Sequence, residues 1–180
     1  AESGRRRVTE DFLKQFFHEK DEKKEPVKEE KKQEEKKQEE KKPERGLAFF
    51  LTLVQKGYRP LLITRQHPNH VRKAHLGVDI RAIWLSTTLG KDYVDPHNLN
   101  SLTNEILTHI GGGGKSAILL DGLEYLMINN DPPRLWKFVE YVNEVVAQTA
   151  AILLISVDER TFEPRDLALL ERNADVLERS

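Results

Sequence analysis

The chain has no cysteine, one methionine and two tryptophans among its 180 residues. Without cysteine, disulfides, thiol nucleophiles and thiolate metal sites are excluded together. No apolar run approaches the roughly 20 residues needed to cross a bilayer. Neither sign of charge dominates: 29 Lys and Arg stand against 30 Asp and Glu, a formal net charge of -1. No global field therefore draws the chain to nucleic acid or to an anionic membrane. The six histidines show no metal-ligand spacing; His67 and His70 flank a proline turn with no acidic companion. No serine sits in a nucleophile elbow. No catalytic residue, metal or cofactor is therefore expected.

What the chain has in quantity is paired charge. One third of its residues are charged, mostly Glu, Lys and Arg. With a single Met, that composition resembles the proteins of hot environments. The charge is also unevenly placed and divides the chain into three. Residues 1–19 hold a short amphipathic helix: Thr9 caps it, Glu10 and Asp11 fill its first turn, and Phe12, Leu13, Phe16 and Phe17 form one apolar stripe. A stripe this aromatic needs a cover, which can be the domain itself, a second copy or another protein. Residues 20–45 are a linker in which Glu-Glu-Lys-Lys-Gln repeats almost unbroken, with no apolar residue between Val27 and Leu47. Nothing there can join a core, and its acids cancel its lysines locally. Arg5, Arg6 and Arg7 near the start fit the cytoplasmic flank of an upstream membrane anchor and fit a solvated basic tip equally well.

Residues 46–180 alternate helical and strand patterns. Leu47, Phe49, Phe50, Leu53 and Val54 make a helical face ended by Gly57. Strands are expected at 61–64, 82–86, 116–121 and 151–156, each a short apolar run bounded by turn residues, the mark of strands buried on both faces. A fifth, short strand or a frayed end fits Asp175, Val176 and Leu177. Helices follow Pro68, the Asp95-Pro96 cap, Gly122, the Asp131-Pro132 cap and Glu163-Pro164. The sum is a three-layer α/β/α sandwich on a mostly parallel sheet of four to five strands.

The run Gly111-Gly112-Gly113-Gly114-Lys115-Ser116 ends like a phosphate-binding loop. That pattern requires Gly six positions before Lys115, where His109 stands. It also requires a strand before the loop and a helix after it, and here the order is reversed. Asp121 after four hydrophobics resembles the metal-side acid of nucleoside triphosphatases, with Glu124 as a water activator. The turn after the first strand, Arg65-Gln66-His67, contains no Gly to complete that set. A receiver domain would need acids where Thr64 and Arg65 stand. Thr64, Arg65, His67, Asp121 and Glu124 nevertheless fall at strand ends, where open α/β sheets bind ligands. A ligand or partner site and an internal Arg65–Asp121 ion pair account for them equally well.

Ile63-Thr64-Arg65, His67-Pro68, Leu120-Asp121-Gly122-Leu123-Glu124-Tyr125-Leu126 and Asn129-Asn130 together resemble an archaeal family known as domain of unknown function 835. Gly57-Tyr58, Trp84-Leu85-Ser86 and Leu167-Ala168-Leu169-Leu170-Glu171 add to the likeness, which runs from about Leu47 to Glu171. The resemblance implies a degenerate relative of the RecA and KaiC type of core without a phosphate loop. It also implies membership of signalling proteins and attachment to membrane segments.

Three expectations follow. The first is a non-catalytic signalling or scaffolding domain, cytoplasmic or membrane-tethered, acting through protein contacts at Thr64, Arg65, His67, Asp121 and Glu124. The second is a nucleotide sensor or ATPase using Asp121 and Glu124. The third is an adaptor docking through Phe12, Leu13, Phe16 and Phe17.

Overall fold

A computed structural model describes residues 46–74 and 77–174. The aromatic stripe, the charged linker and the strand expected at 175–177 lie outside the described residues. Five strands form one sheet: β1 (Arg59–Thr64), β2 (Arg81–Leu85), β3 (Tyr93–Val94), β4 (Ser116–Asp121) and β5 (Ala151–Ser156). Their order is β3-β2-β1-β4-β5, and every pairing is parallel. The helices are α1 (46–55), α2 (Pro68–Ala74), α3 (Leu99–Gly111), α4 (Leu123–Asn129), α5 (Pro132–Ala147) and α6 (Pro164–Asn173). A 3-10 turn covers Glu159–Thr161.

The apolar runs become strands because each has two faces to bury. Leu61 and Ile63 of β1, with Ile118 and Leu120 of β4, pack against α3, α4, α5 and α6 in one core. Leu62, Ala117 and Leu119, the residues between, pack against Phe50 and Leu53 of α1 and Val71 of α2 in a second. Alternation along one strand thus feeds two cores, and the expected three layers result. The strand order reverses between β1 and β4, as at the switch point of doubly wound sheets.

Two local features differ from the expectation. After the loop around Gly90, Tyr93 and Val94 form β3, an edge strand not expected from the sequence. It holds through main-chain bonds, Trp84 N to Asp92 O at 2.8 Å and Ser86 N to Val94 O at 3.1 Å. α3 begins later than Asp95-Pro96 suggests. Asn98 is its cap, its Oδ1 accepting from Ser101 N at 3.0 Å. Asp95 instead accepts from His97 N at 2.9 Å. Gly57 does end α1, at φ +87°.

A polar clasp closes the amino-terminal edge of the sheet. Arg59 Nη2 donates to the His109 carbonyl at 2.7 Å and to Ser116 Oγ at 3.0 Å. His109 Nε2 in turn donates to the Arg59 carbonyl at 3.1 Å, and burial lowers its pKa, favouring the neutral ring. β1, β4 and the end of α3 are thereby tied at one point. Removing a partner from such a cluster costs about 1–3 kcal/mol, whereas an exposed ion pair contributes under ~1 kcal/mol. Arg59→Ala should therefore lower the Tm clearly more than Arg81→Ala, which breaks the exposed pair with Glu105. Equal losses would show the clasp to be dispensable.

Candidate functional site

The register sets four side chains in a row at the carboxyl edge of the sheet. Thr64 stands opposite Trp84 on one side and Asp121 on the other, and Asp121 stands opposite Ser156. Two residues earlier on three of these strands come Leu62, Leu119 and Leu154, all in the core beneath α1 and α2. By the period of two, the row faces that same side. It crosses the β1–β4 reversal, the place where ligands enter sheets of this order.

Thr64 is buried and its hydroxyl works twice. Oγ1 donates to Asp121 Oδ2 at 3.1 Å and accepts from Gln66 N at 3.1 Å, which also shapes the turn after β1. Asp121 is half-buried. Burial raises its pKa above the ordinary 3.8, and Glu124 pushes it the same way; Thr64 and Arg65 oppose these effects without cancelling them.

The ion pair between Arg65 and Asp121 does not form. Among the described residues, ion pairs join Arg81 to Glu105, His97 to Asp95 and Arg160 to Asp158. The reason is the period of two. Arg65 follows Thr64 by one position and leaves on the opposite face, where its guanidinium lies 4.5 Å from the centroid of the Tyr125 ring. Gly122 permits this crossing: at φ +145°, a Cβ there would meet Leu85 Cδ1 at 3.2 Å and Arg65 Cγ at 3.3 Å.

The other candidates are held apart from Asp121 as well. Glu124 Oε1 accepts from Asp158 N at 2.8 Å, tying the start of α4 to the chain that leaves β5. His67 accepts from Asn69 N at 3.1 Å through Nδ1 and meets Trp84 edge-on at 4.7 Å. Trp84 is also edge-on to Tyr93 at 4.6 Å, and its Nε1 donates to the Arg65 carbonyl at 2.8 Å. The structure thus joins Thr64 to Asp121 and places Arg65, His67 and Glu124 around them in separate contacts. Residue-by-residue reading missed Trp84, Tyr125 and Ser156 as members of this edge. Their signal was position: each occupies a strand end or the first turn after one.

α4 bridges this edge. It starts beside the end of β4, and just beyond its end Asn130 Nδ2 donates to the Pro96 carbonyl at 2.8 Å, past the end of β3. The glycine-rich loop lies elsewhere. It joins α3 to the start of β4, so the full length of that strand, ~20 Å at ~3.3 Å per residue, separates Lys115 from Asp121. The two cannot act on one phosphate. An open depression of about 500 Å³ is also at that far edge, lined by Arg59, Asp79, Arg81 and His109 among others. Its two cations are committed, Arg59 to the clasp and Arg81 to Glu105. The strand-end row is the better candidate despite its shallower form, because the fold converges polar and aromatic groups there. Among the described residues, no group of three or more His, Asp or Glu could hold a metal ion. No helix among them is long and apolar enough to cross a membrane.

Residues 39–173 match the family described as protein of unknown function, DUF835, and the chain belongs to that family. The match begins in the last residues of the charged linker, earlier than the likeness seen at Leu47. No curated protein and no solved structure matches the chain.

Asp121 gives a pH test. Its folded pKa is raised, so its contribution to stability is fully present below 3.8 and is lost as pH rises through the folded value. Asn at this position still accepts from Thr64 but never ionises. Asp121→Asn should match the native Tm near pH 3 and exceed it by a few degrees at pH 7. A variant less stable than the native chain at pH 7 would mean that the carboxylate is held by attraction after all.

Proposed function

We propose that this member of the family is a non-catalytic binding domain for signalling or scaffolding, engaging a protein partner at the carboxyl edge of its sheet. The observation that supports it is the composition of that edge. The turn after β1 is Arg65-Gln66-His67, without the glycines that would present main-chain N–H groups to phosphate. In their place stand Trp84, Tyr125, the Arg65 guanidinium and exposed apolar side chains, the groups that dominate protein interfaces. Asp121 at the centre adds a carboxylate that stands in no ion pair among the described residues, and it can receive a donor from the partner. A charged linker of the kind at 20–45 fits a domain held at a distance from what it serves, in the cytoplasm and tethered to a membrane or a larger assembly.

The second reading, a nucleotide sensor or ATPase, rests on Asp121 after its apolar strand and on Glu124. It is the weaker one, since Glu124 is committed to Asp158 N and the glycine-rich loop is at the other edge.

Cross-linking mass spectrometry with the native chain in its own cells separates the two. The expected cross-links run from 64–67, 86–92 and 121–128 to one recurrent protein, and Arg65→Glu reduces them at least several-fold while leaving the Tm within a degree or two. Magnesium-dependent ATP hydrolysis by the purified chain, abolished in Asp121→Ala, would overturn the proposal in favour of the enzyme.

A further inference from the structure

The two most exposed large apolar side chains among the described residues are Leu89, 95% exposed, and Ile128, 81% exposed. Both lie on segments that border the carboxyl edge, Leu89 between β2 and β3 and Ile128 on α4. Ile128 comes three residues after Tyr125, so the two share one face of α4. Tyr125 already carries the guanidinium of Arg65 on its ring, and Arg65 is exposed and, among the described residues, joined to no carboxylate in an ion pair. Such a surface suits an aromatic segment flanked by acids. The segment would bring apolar area for Leu89 and Ile128, a second ring for the open side of the guanidinium, and negative charge beside it.

The chain contains that segment. Glu10 and Asp11 precede Phe12 and Leu13, and Phe16 and Phe17 follow. The chain that carries it also enters the domain at the same edge. A Cβ on Gly46, at the described start of α1, would stand 3.6 Å from Ser156 Cβ, in the terminal position of the Trp84–Thr64–Asp121–Ser156 row. Residues 18–45 intervene, each spanning up to ~3.3 Å when extended, so length is no obstacle to reaching any point on the edge. A tethered segment meets such a surface at an effective concentration on the order of 1 mM, so weak contacts suffice.

We propose that the segment bearing Phe12, Leu13, Phe16 and Phe17 docks in cis on the carboxyl edge of its own domain, over Leu89, Arg65, Tyr125 and Ile128, and yields to the partner. The contact is autoinhibitory. Its regulatory meaning rests on the binding-domain reading, although the contact itself does not.

Hydrogen exchange on the full chain tests it, comparing the native protein with Phe12→Ser, Phe16→Ser, Phe17→Ser combined. For an intrinsic docking constant of about 0.1 mM, the amides of 86–92 and 123–129 should exchange roughly tenfold faster in the variant. The ratio should hold at every chain concentration. Leu89→Ser with Ile128→Ser, two exposed positions whose replacement spares the core, should speed exchange at residues 10–17 in the same way. Identical exchange in native and variant chains would overturn the proposal. So would a difference that fades on dilution, since the segment would then belong to a second copy. Native protection that persists while Arg65→Glu leaves cross-links unchanged would retire the partner reading and leave the cis contact standing.

Discussion

The parallel pairing of β1 with β4 is the constraint from which the rest follows. It runs over six residues from Arg59–Ser116 to Thr64–Asp121 and joins two strands distant in sequence. At its amino end it brings Ser116 under the Arg59 guanidinium, so the clasp with His109 can form. At its carboxyl end it brings Thr64 Oγ1 to Asp121 Oδ2. Between these ends, Leu61 to Ile63 and Ala117 to Leu120 feed both cores in turn. Slip the register by one residue and each of these side chains changes faces. The clasp, the two cores and the strand-end row would go together.

The carboxyl end of that pairing carries a local cost. Asp121 is half-buried and in no ion pair among the described residues, and Gly122 holds a φ of +145° that side chains rarely adopt. Arg65, the obvious neutralising partner, lies instead on Tyr125. Natural folds retain such local disadvantage where function needs it, and this supports the proposal that Asp121 is a binding group. The amino edge shows the opposite economy. Arg59, His109 and Ser116 bond to one another there, and the two cations of its concavity are engaged, Arg59 in the clasp and Arg81 with Glu105. The two edges of one sheet thus differ in their contacts, one tied by the Arg59–His109–Ser116 clasp and the other by the Thr64–Asp121 bond.

Much of this was legible in the sequence, for identifiable reasons. A run such as Ser116-Ala117-Ile118-Leu119-Leu120-Asp121 has no polar face, so only a strand between two layers suits it. Gly57 and Pro132 marked helix limits through their own backbone restrictions. Tyr93–Val94 was hidden because a two-residue strand has no period, and its bonds are main-chain bonds that no side chain announces. Asn98 took the capping role from Asp95 because Asp95 is occupied by His97. In the site, the strand ends were legible but the faces were misjudged. Thr64 and Arg65 are neighbours in sequence and leave toward opposite layers, so Thr64 meets Asp121 while Arg65 lies over Tyr125. Strand order, which makes β1 and β4 neighbours at all, leaves no trace in a single chain.

The most direct test of this account is the side-chain titration of Asp121, followed by carbon NMR at its carboxyl carbon in the full chain. The midpoint should lie above the ordinary 3.8, because burial outweighs the Thr64 hydrogen bond and the charge of Arg65. A midpoint at or below 3.8 would contradict it. Asp121 would then be a neutralised structural acid, and the carboxyl edge would lose the open charge on which its reading as a binding site depends.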